Sequence, residues 1–157
     1  MKSTNYLILI LSLILFSCTD PDDAEELISS TYVTEFTVNG KTYNIGTTRW
    51  STVLNAITTD EGQKGNLEMS LPQNVKLGTY TFNDGYIMIG YENLPGYSAV
   101  YDKVNVTITK IGSATSYGTA NIVGTFSGTF VYYDIDSNGV ATTQHEVQLS
   151  GKFSTTP

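Results

Sequence analysis

One cysteine, one histidine and one tryptophan are all that the 157 residues hold of the rarest side chains. A lone cysteine excludes an intrachain disulfide, so the fold has no covalent staple even in a compartment that would permit one. With one histidine and no thiol to spare, a zinc site would have to recruit carboxylates, a rare ligand set. No Gly-x-Ser-x-Gly turn is present to raise a hydrolase serine. Charged residues make up only 15% of the chain, against roughly 25% in an ordinary soluble domain. Acidic residues outnumber basic ones by 15 to 8. No basic stripe is left to neutralise phosphates, which excludes nucleic acid as a partner. Helical period with caps is missing as well. The apolar run Tyr6 to Phe16 is shorter than the roughly 18 residues of a spanning helix.

What the chain does have begins with that run. Lys2 precedes it and Ser17-Cys18 follows it, the layout of a targeting segment with a small residue before the cut. Leu15-Phe16-Ser17-Cys18 resembles the lipobox of bacterial lipoproteins. The resemblance implies that residues 1–17 are a signal peptide, and that Cys18 carries acyl chains such as palmitate and becomes the mature N-terminus. One acyl chain anchors only marginally, at about 0.8 kcal/mol per buried methylene, whereas several together hold in effect permanently. The tail, residues 18–31, carries Asp20, Asp22, Asp23, Glu25 and Glu26 and reads as a solvated, self-repelling spacer. It also resembles the acidic export signal of surface-exposed Bacteroidetes lipoproteins. The expected location is therefore the outer membrane, on its surface-exposed or its periplasmic face.

From Tyr32 onward ten acidic residues face seven basic ones, and the apolar pattern has period two with frequent turn signals. This predicts one all-β domain over residues 32–157, an antiparallel sandwich or flattened barrel of about eight to ten strands. Asn39-Gly40 is a two-residue hairpin turn, which pairs Phe36 with Tyr43 on one face. Residues from Trp50 to Thr59 read as one strand. Leu67, Met69 and Leu71, then Ile87, Ile89 and Tyr91, then Val104, Val106 and Ile108 mark further inward faces, and Asn83-Asp84-Gly85 reads as a turn. Ile122, Phe126, Phe130 and Tyr132 share parity with Gly124 and Gly128, glycines that let a strand coil or a layer come close. Val147, Leu149 and Phe153 face inward in the last strand. Gly124-Thr-Phe126, Gly128-Thr-Phe130 and Gly151-Lys-Phe153 echo one another without forming a complete repeat.

Phe36-x-Val38-Asn39-Gly40, Gly78-Thr-Tyr80, Val123-Gly-Thr-Phe-Ser127 and Gly151-x-Phe153, in this order behind a lipobox, resemble a Bacteroidetes lipoprotein family of unknown function. The likeness spans Tyr32 to Phe153. It implies a small all-β lipoprotein and supplies no catalytic residues.

Three groups of residues bear on chemistry. Asp134, Asp136, Asn138 and Gly139 match the first half of a calcium loop, but His145 stands where the closing bidentate glutamate belongs. A hairpin tip uses the same residue types, and the expectation is a tip without a working metal site. His145 shares parity with Val147 and Leu149 and reads as a hydrogen-bonded structural histidine. Glu35, Glu68, Glu92, Asp102 and Glu146 are the carboxylates a glycosidase pair would draw on, and most of them read as outward strand or turn residues. Trp50, Tyr86, Tyr91, Tyr97 and Tyr101 are the candidate ligand-binding residues, since exposed aromatics with a polar rim stack on sugar rings. The expected function is that of a lipid-anchored envelope protein, monomeric and without cofactor, presenting a non-enzymatic β domain to a glycan or protein partner. The alternative is a β-barrel holding a small apolar or glycan ligand in a pocket.

Overall fold

Asn39 and Gly40 take φ values of 50° and 74°, the left-handed pair that a two-residue hairpin needs. They join β1 (Thr34–Val38) to β2 (Lys41–Gly46), with Phe36 opposite Tyr43 as the turn dictates. The computed structural model describes residues 32–82 and 86–157. The signal segment, Cys18, the acidic tail and the turn Asn83-Asp84-Gly85 lie outside the described residues. After β2 come β3 (Thr48–Ser51), β4 (Ala56–Thr59), β5 (Gly65–Ser70), β6 (Gly78–Thr81) and β7 (Ile87–Tyr91). The chain continues through β8 (Tyr97–Ile111), β9 (Thr119–Ala120), β10 (Ile122–Ile135) and β11 (Ala141–Ser154).

All eleven strands belong to one antiparallel sheet, in the order β2-β1-β11-β10-β8-β7-β5-β4-β3-β9, with β6 also on β8. The sheet does not close, so the architecture is the sandwich and not the barrel. β8 serves two neighbours in turn along one side. Tyr97 and Ser98 pair with β7, whereas Asn105 to Ile108 pair with β6. Between them the register against β10 slips, from Ala99 opposite Phe130 to Val104 opposite Gly128. Asp102, at φ 57°, sits in the extra residues of this bulge. The bulge pushes Tyr101 outward.

The inward faces are those that parity sets. Phe36, Ile45, Ile57, Leu67, Met69, Ile87, Ile89, Val106, Ile108, Phe126, Phe130 and Phe153 form one buried cluster fed by both halves of the sheet. The strand expected from Trp50 to Thr59 is instead two. Thr52 to Asn55 turns the chain, with Asn55 at φ 49°, and Trp50 ends up opposite Ile57. This turn uses neither glycine nor proline, so the usual punctuation is missing. That extra turn and the two-residue β9 carry the count past ten.

The echoing Gly-x-Phe motifs have a geometric cause. β10 and β11 run antiparallel with Gly124 opposite Phe153 and Phe126 opposite Gly151. A Cβ on Gly124 would lie 2.6 Å from the Phe153 ring, and one on Gly151 would strike the Phe126 ring. Each phenylalanine therefore covers the glycine across from it, and the two rings stack with centroids 6.5 Å apart. Covering a strand glycine with a cross-strand aromatic restores the packing that the missing side chain forfeits.

Candidate binding surface

The five aromatics singled out by sequence do not share one face; the fold distributes them over three places. Trp50 is buried on β3, with its indole Nε1 finding no hydrogen-bond partner. It is corrected from a stacking platform to a core residue. Tyr86 and Tyr101 are exposed and line a shallow cleft of about 170 Å³ with Phe82, Met88 and Ser98. Tyr91 and Tyr97 flank the β7–β8 connection and enter a different assembly.

That assembly is a row of rings drawn from six strands. Tyr43 stacks on Phe36 at 5.2 Å and meets Tyr91 at 5.1 Å. Phe36 touches Tyr97 at 6.1 Å, and Tyr97 meets Tyr132 edge-on at 5.7 Å. Tyr132 stacks on His145 at 4.8 Å and 16°, the two being direct partners across β10 and β11. Such offset and edge-to-face pairs each contribute about 0.5–1.5 kcal/mol beyond their buried area. The row is tied off by charge at both ends. Lys41 Nζ sits 4.9 Å above the Tyr43 ring, and Asp134 Oδ2 lies 2.8 Å from His145 Nε2. Phe36 and Tyr97 are buried, whereas Tyr43, Tyr91, Tyr132 and His145 remain half-exposed. Burial, and then the neighbouring Tyr43 and Tyr132 hydroxyls, hold the Tyr97 phenol above its ordinary pKa. The result is a surface with π-faces at its centre and hydroxyl, imidazole and ammonium groups around it.

Tyr43, Tyr132 and His145 are thus the members that sequence reading left out of the binding set. Parity puts Tyr43 with Phe36 and Tyr132 with Phe130, but only the β10–β11 register brings His145 under Tyr132. His145 is the hydrogen-bonded histidine expected, and its partner is Asp134.

The Asp134 to Gly139 segment forms the end of the β10–β11 hairpin. Asp136 Oδ1 accepts backbone N–H bonds from Asn138 at 2.9 Å and Val140 at 2.8 Å. Gly139 closes the turn at φ 80°. Asp134 is turned away toward His145, so the carboxylates of the loop are directed to separate tasks. The bonds from Val140 and Asn138 lower the Asp136 pKa below its ordinary value. A carboxyl whose pKa is lowered on folding stabilises the fold above its unfolded pKa, and that stabilisation is lost as pH falls through the folded value. A carbon-detected NMR titration should therefore place the Asp136 midpoint below that of an ordinary aspartate. Asp136→Ala should speed amide exchange at Asn138 and Val140; unchanged exchange at both would remove this role.

Three of the five carboxylates that a glycosidase pair would draw on are engaged elsewhere. Glu35 pairs with Lys152 at 3.1 Å, Glu146 with Lys103 at 3.4 Å, and Glu68 accepts from Asn66. No protein family, curated protein or solved structure matches the chain. The fold and the aromatic row define its class: an all-β sandwich protein with a half-buried ring surface.

Proposed function

We propose that the chain is a lipid-anchored cell-envelope protein of the outer membrane whose β domain is a non-enzymatic binding module. The acyl-bearing residue in this reading is Cys18, supported by the lipobox-like run ahead of it and the acidic spacer behind it. Kinship with the Bacteroidetes lipoprotein family of unknown function belongs to the same reading. The binding surface is formed by the half-exposed rings Tyr43, Tyr91, Tyr132 and His145, with Tyr97 corrected from a surface ring to a buried support beside Phe36, and its partner is a glycan. One observation carries this: rings from six strands meet in a continuous row, joined through Phe36, whose outer members keep exposed faces beside hydrogen-bonding groups. Sugar rings present apolar C–H faces with polar edges, and an aromatic face with a polar rim matches both. A glycan array probed with the protein tests the idea. Tyr91→Ala with Tyr132→Ala should weaken retention about tenfold or more, at 0.5–1.5 kcal/mol per ring contact. Retention that the double substitution leaves unchanged would move the site away from the row.

A further inference from the structure

A second surface lies where the β3–β4 turn meets the β8–β9 loop. Val53 and Leu54 in the turn are 76% and 75% exposed, and Tyr117 in the loop is 92% exposed. Large apolar side chains this bare, side by side, mark an interaction site. The two segments are fastened together. The Thr52 backbone N–H and its hydroxyl both donate to the Gly118 carbonyl, at 2.8 and 2.7 Å. A Cβ on Gly118 would lie 2.9 Å from Val53 Cγ2, so the turn and the loop are in contact beside Tyr117. Within the loop, Thr115 and Thr119 bond through their hydroxyls at 2.8 Å. The side chains are thus presented on a pre-ordered platform, which lowers the ordering cost of docking. Neither the turn, Thr52 to Asn55, nor the loop, Gly112 to Gly118, contains a charged residue, although the protein is acidic.

The way the chain leaves the domain indicates what this corner meets. Thr34, at the start of β1, hydrogen-bonds Thr48 at the start of β3 through their hydroxyls at 2.8 Å. From Thr48 to Thr52 is about 13 Å of strand at roughly 3.3 Å per residue. The exit toward Cys18 is therefore a short step from Val53, Leu54 and Tyr117. The fourteen residues Cys18 to Thr31 reach at most about 50 Å when fully extended. The tip of the β10–β11 hairpin lies away from this corner, separated from it by the length of β10.

We infer that this uncharged apolar corner docks into the interface of the lipid bilayer that holds Cys18, with Tyr117 at headgroup depth and Val53 and Leu54 at the acyl boundary. The inference rests on the lipid-anchor reading. Tyrosine suits that depth because its ring is apolar and its tip polar. The insertion can be weak, because a tether of this length keeps the local concentration of membrane in the millimolar range.

Cys18 is the only thiol, so the anchor can be rebuilt chemically on the whole chain downstream of residue 17. That chain is coupled through Cys18 to a maleimide lipid in phosphatidylcholine vesicles, with or without bromine on the acyl chains. Trp50 is buried and contributes the same background to every variant. Emission from Tyr117→Trp should fall about twofold or more with brominated lipid, because a ring at headgroup depth lies directly above the acyl boundary and within reach of the bromines. Tyr133→Trp, on the far part of β10, should be unaffected, and adding Val53→Ser and Leu54→Ser to Tyr117→Trp should abolish the quenching. Equal quenching at 117 and 133, or none at 117, overturns the inference. A dimer in sedimentation that the two serines dissociate, without quenching, overturns it in favour of a second copy on this corner. The coupling is independent of what the cell does to Cys18, so failure here and failure of native lipidation are read separately.

Discussion

Replacing Phe130 or Phe126 by alanine is expected to cost about 3–5 kcal/mol each, read as a drop in the denaturant midpoint at unchanged slope. Both side chains are buried, at 0% and 1% exposure, and their rings lie 6.2 Å apart in the middle of the cluster. Phe126 has no room to be replaced by collapse, because it already fills the space above Gly151. Its truncation leaves only a methyl group opposite the bare backbone of Gly151, so it belongs at the upper end of that range. A loss below about 1 kcal/mol for both would mean the strand is one residue out of register, since a slip of one exchanges the faces. Gly151→Ala should also destabilise, because the new methyl would meet the Phe126 ring and sit 2.6 Å from the Glu35 carbonyl oxygen. Over-packing of this kind costs about 1–3 kcal/mol.

Cys18→Ala is expected to move the protein entirely from the membrane to the soluble fraction. The apolar corner can hold a tethered domain at a bilayer, but three side chains give too little buried area to hold a free one. Each acyl methylene adds about 0.8 kcal/mol, and two or three chains together far exceed that contribution. Mass spectrometry of the wild-type N-terminus should show Cys18 acylated, while thermal unfolding of the released variant should match that of the wild type. A variant that stays in the membrane pellet while the wild type carries an unmodified thiol would remove the anchoring claim.

Period-two alternation made the strands and their inward faces readable, because burial of one face is a local property of the residues that form it. Phe36 opposite Tyr43 was readable for the same reason, Asn39-Gly40 permitting only one register. Two kinds of feature were not. The turn at Thr52 to Asn55 and the bulge around Asp102 lack glycine and proline, and both depend on bonds to distant segments: Thr52 to Gly118, Leu71 to Asn55 and Asp102 to Phe82. The aromatic row was the second. Whether an aromatic ends as core or as surface depends on which strand lies over it, and Trp50 and Tyr97 were covered while Tyr43 and Tyr132 were left half-open. His145 joined the row only through its pairing partner on β10. The Gly-x-Phe echo was visible as a pattern, but its meaning required knowing that two of the copies face each other in antiparallel strands.

The position of β1 between β2 and β11 bears on how the molecule is made. Its hairpin with β2 can form as soon as those residues are free, but its other edge waits for Leu149 to Lys152, more than a hundred positions later in the chain. Loop-closure entropy makes such pairings slow to form. The sheet therefore cannot be completed until nearly the whole polypeptide has been synthesised. A chain that must cross a membrane unfolded gains from that delay, because it stays threadable until its last strand arrives.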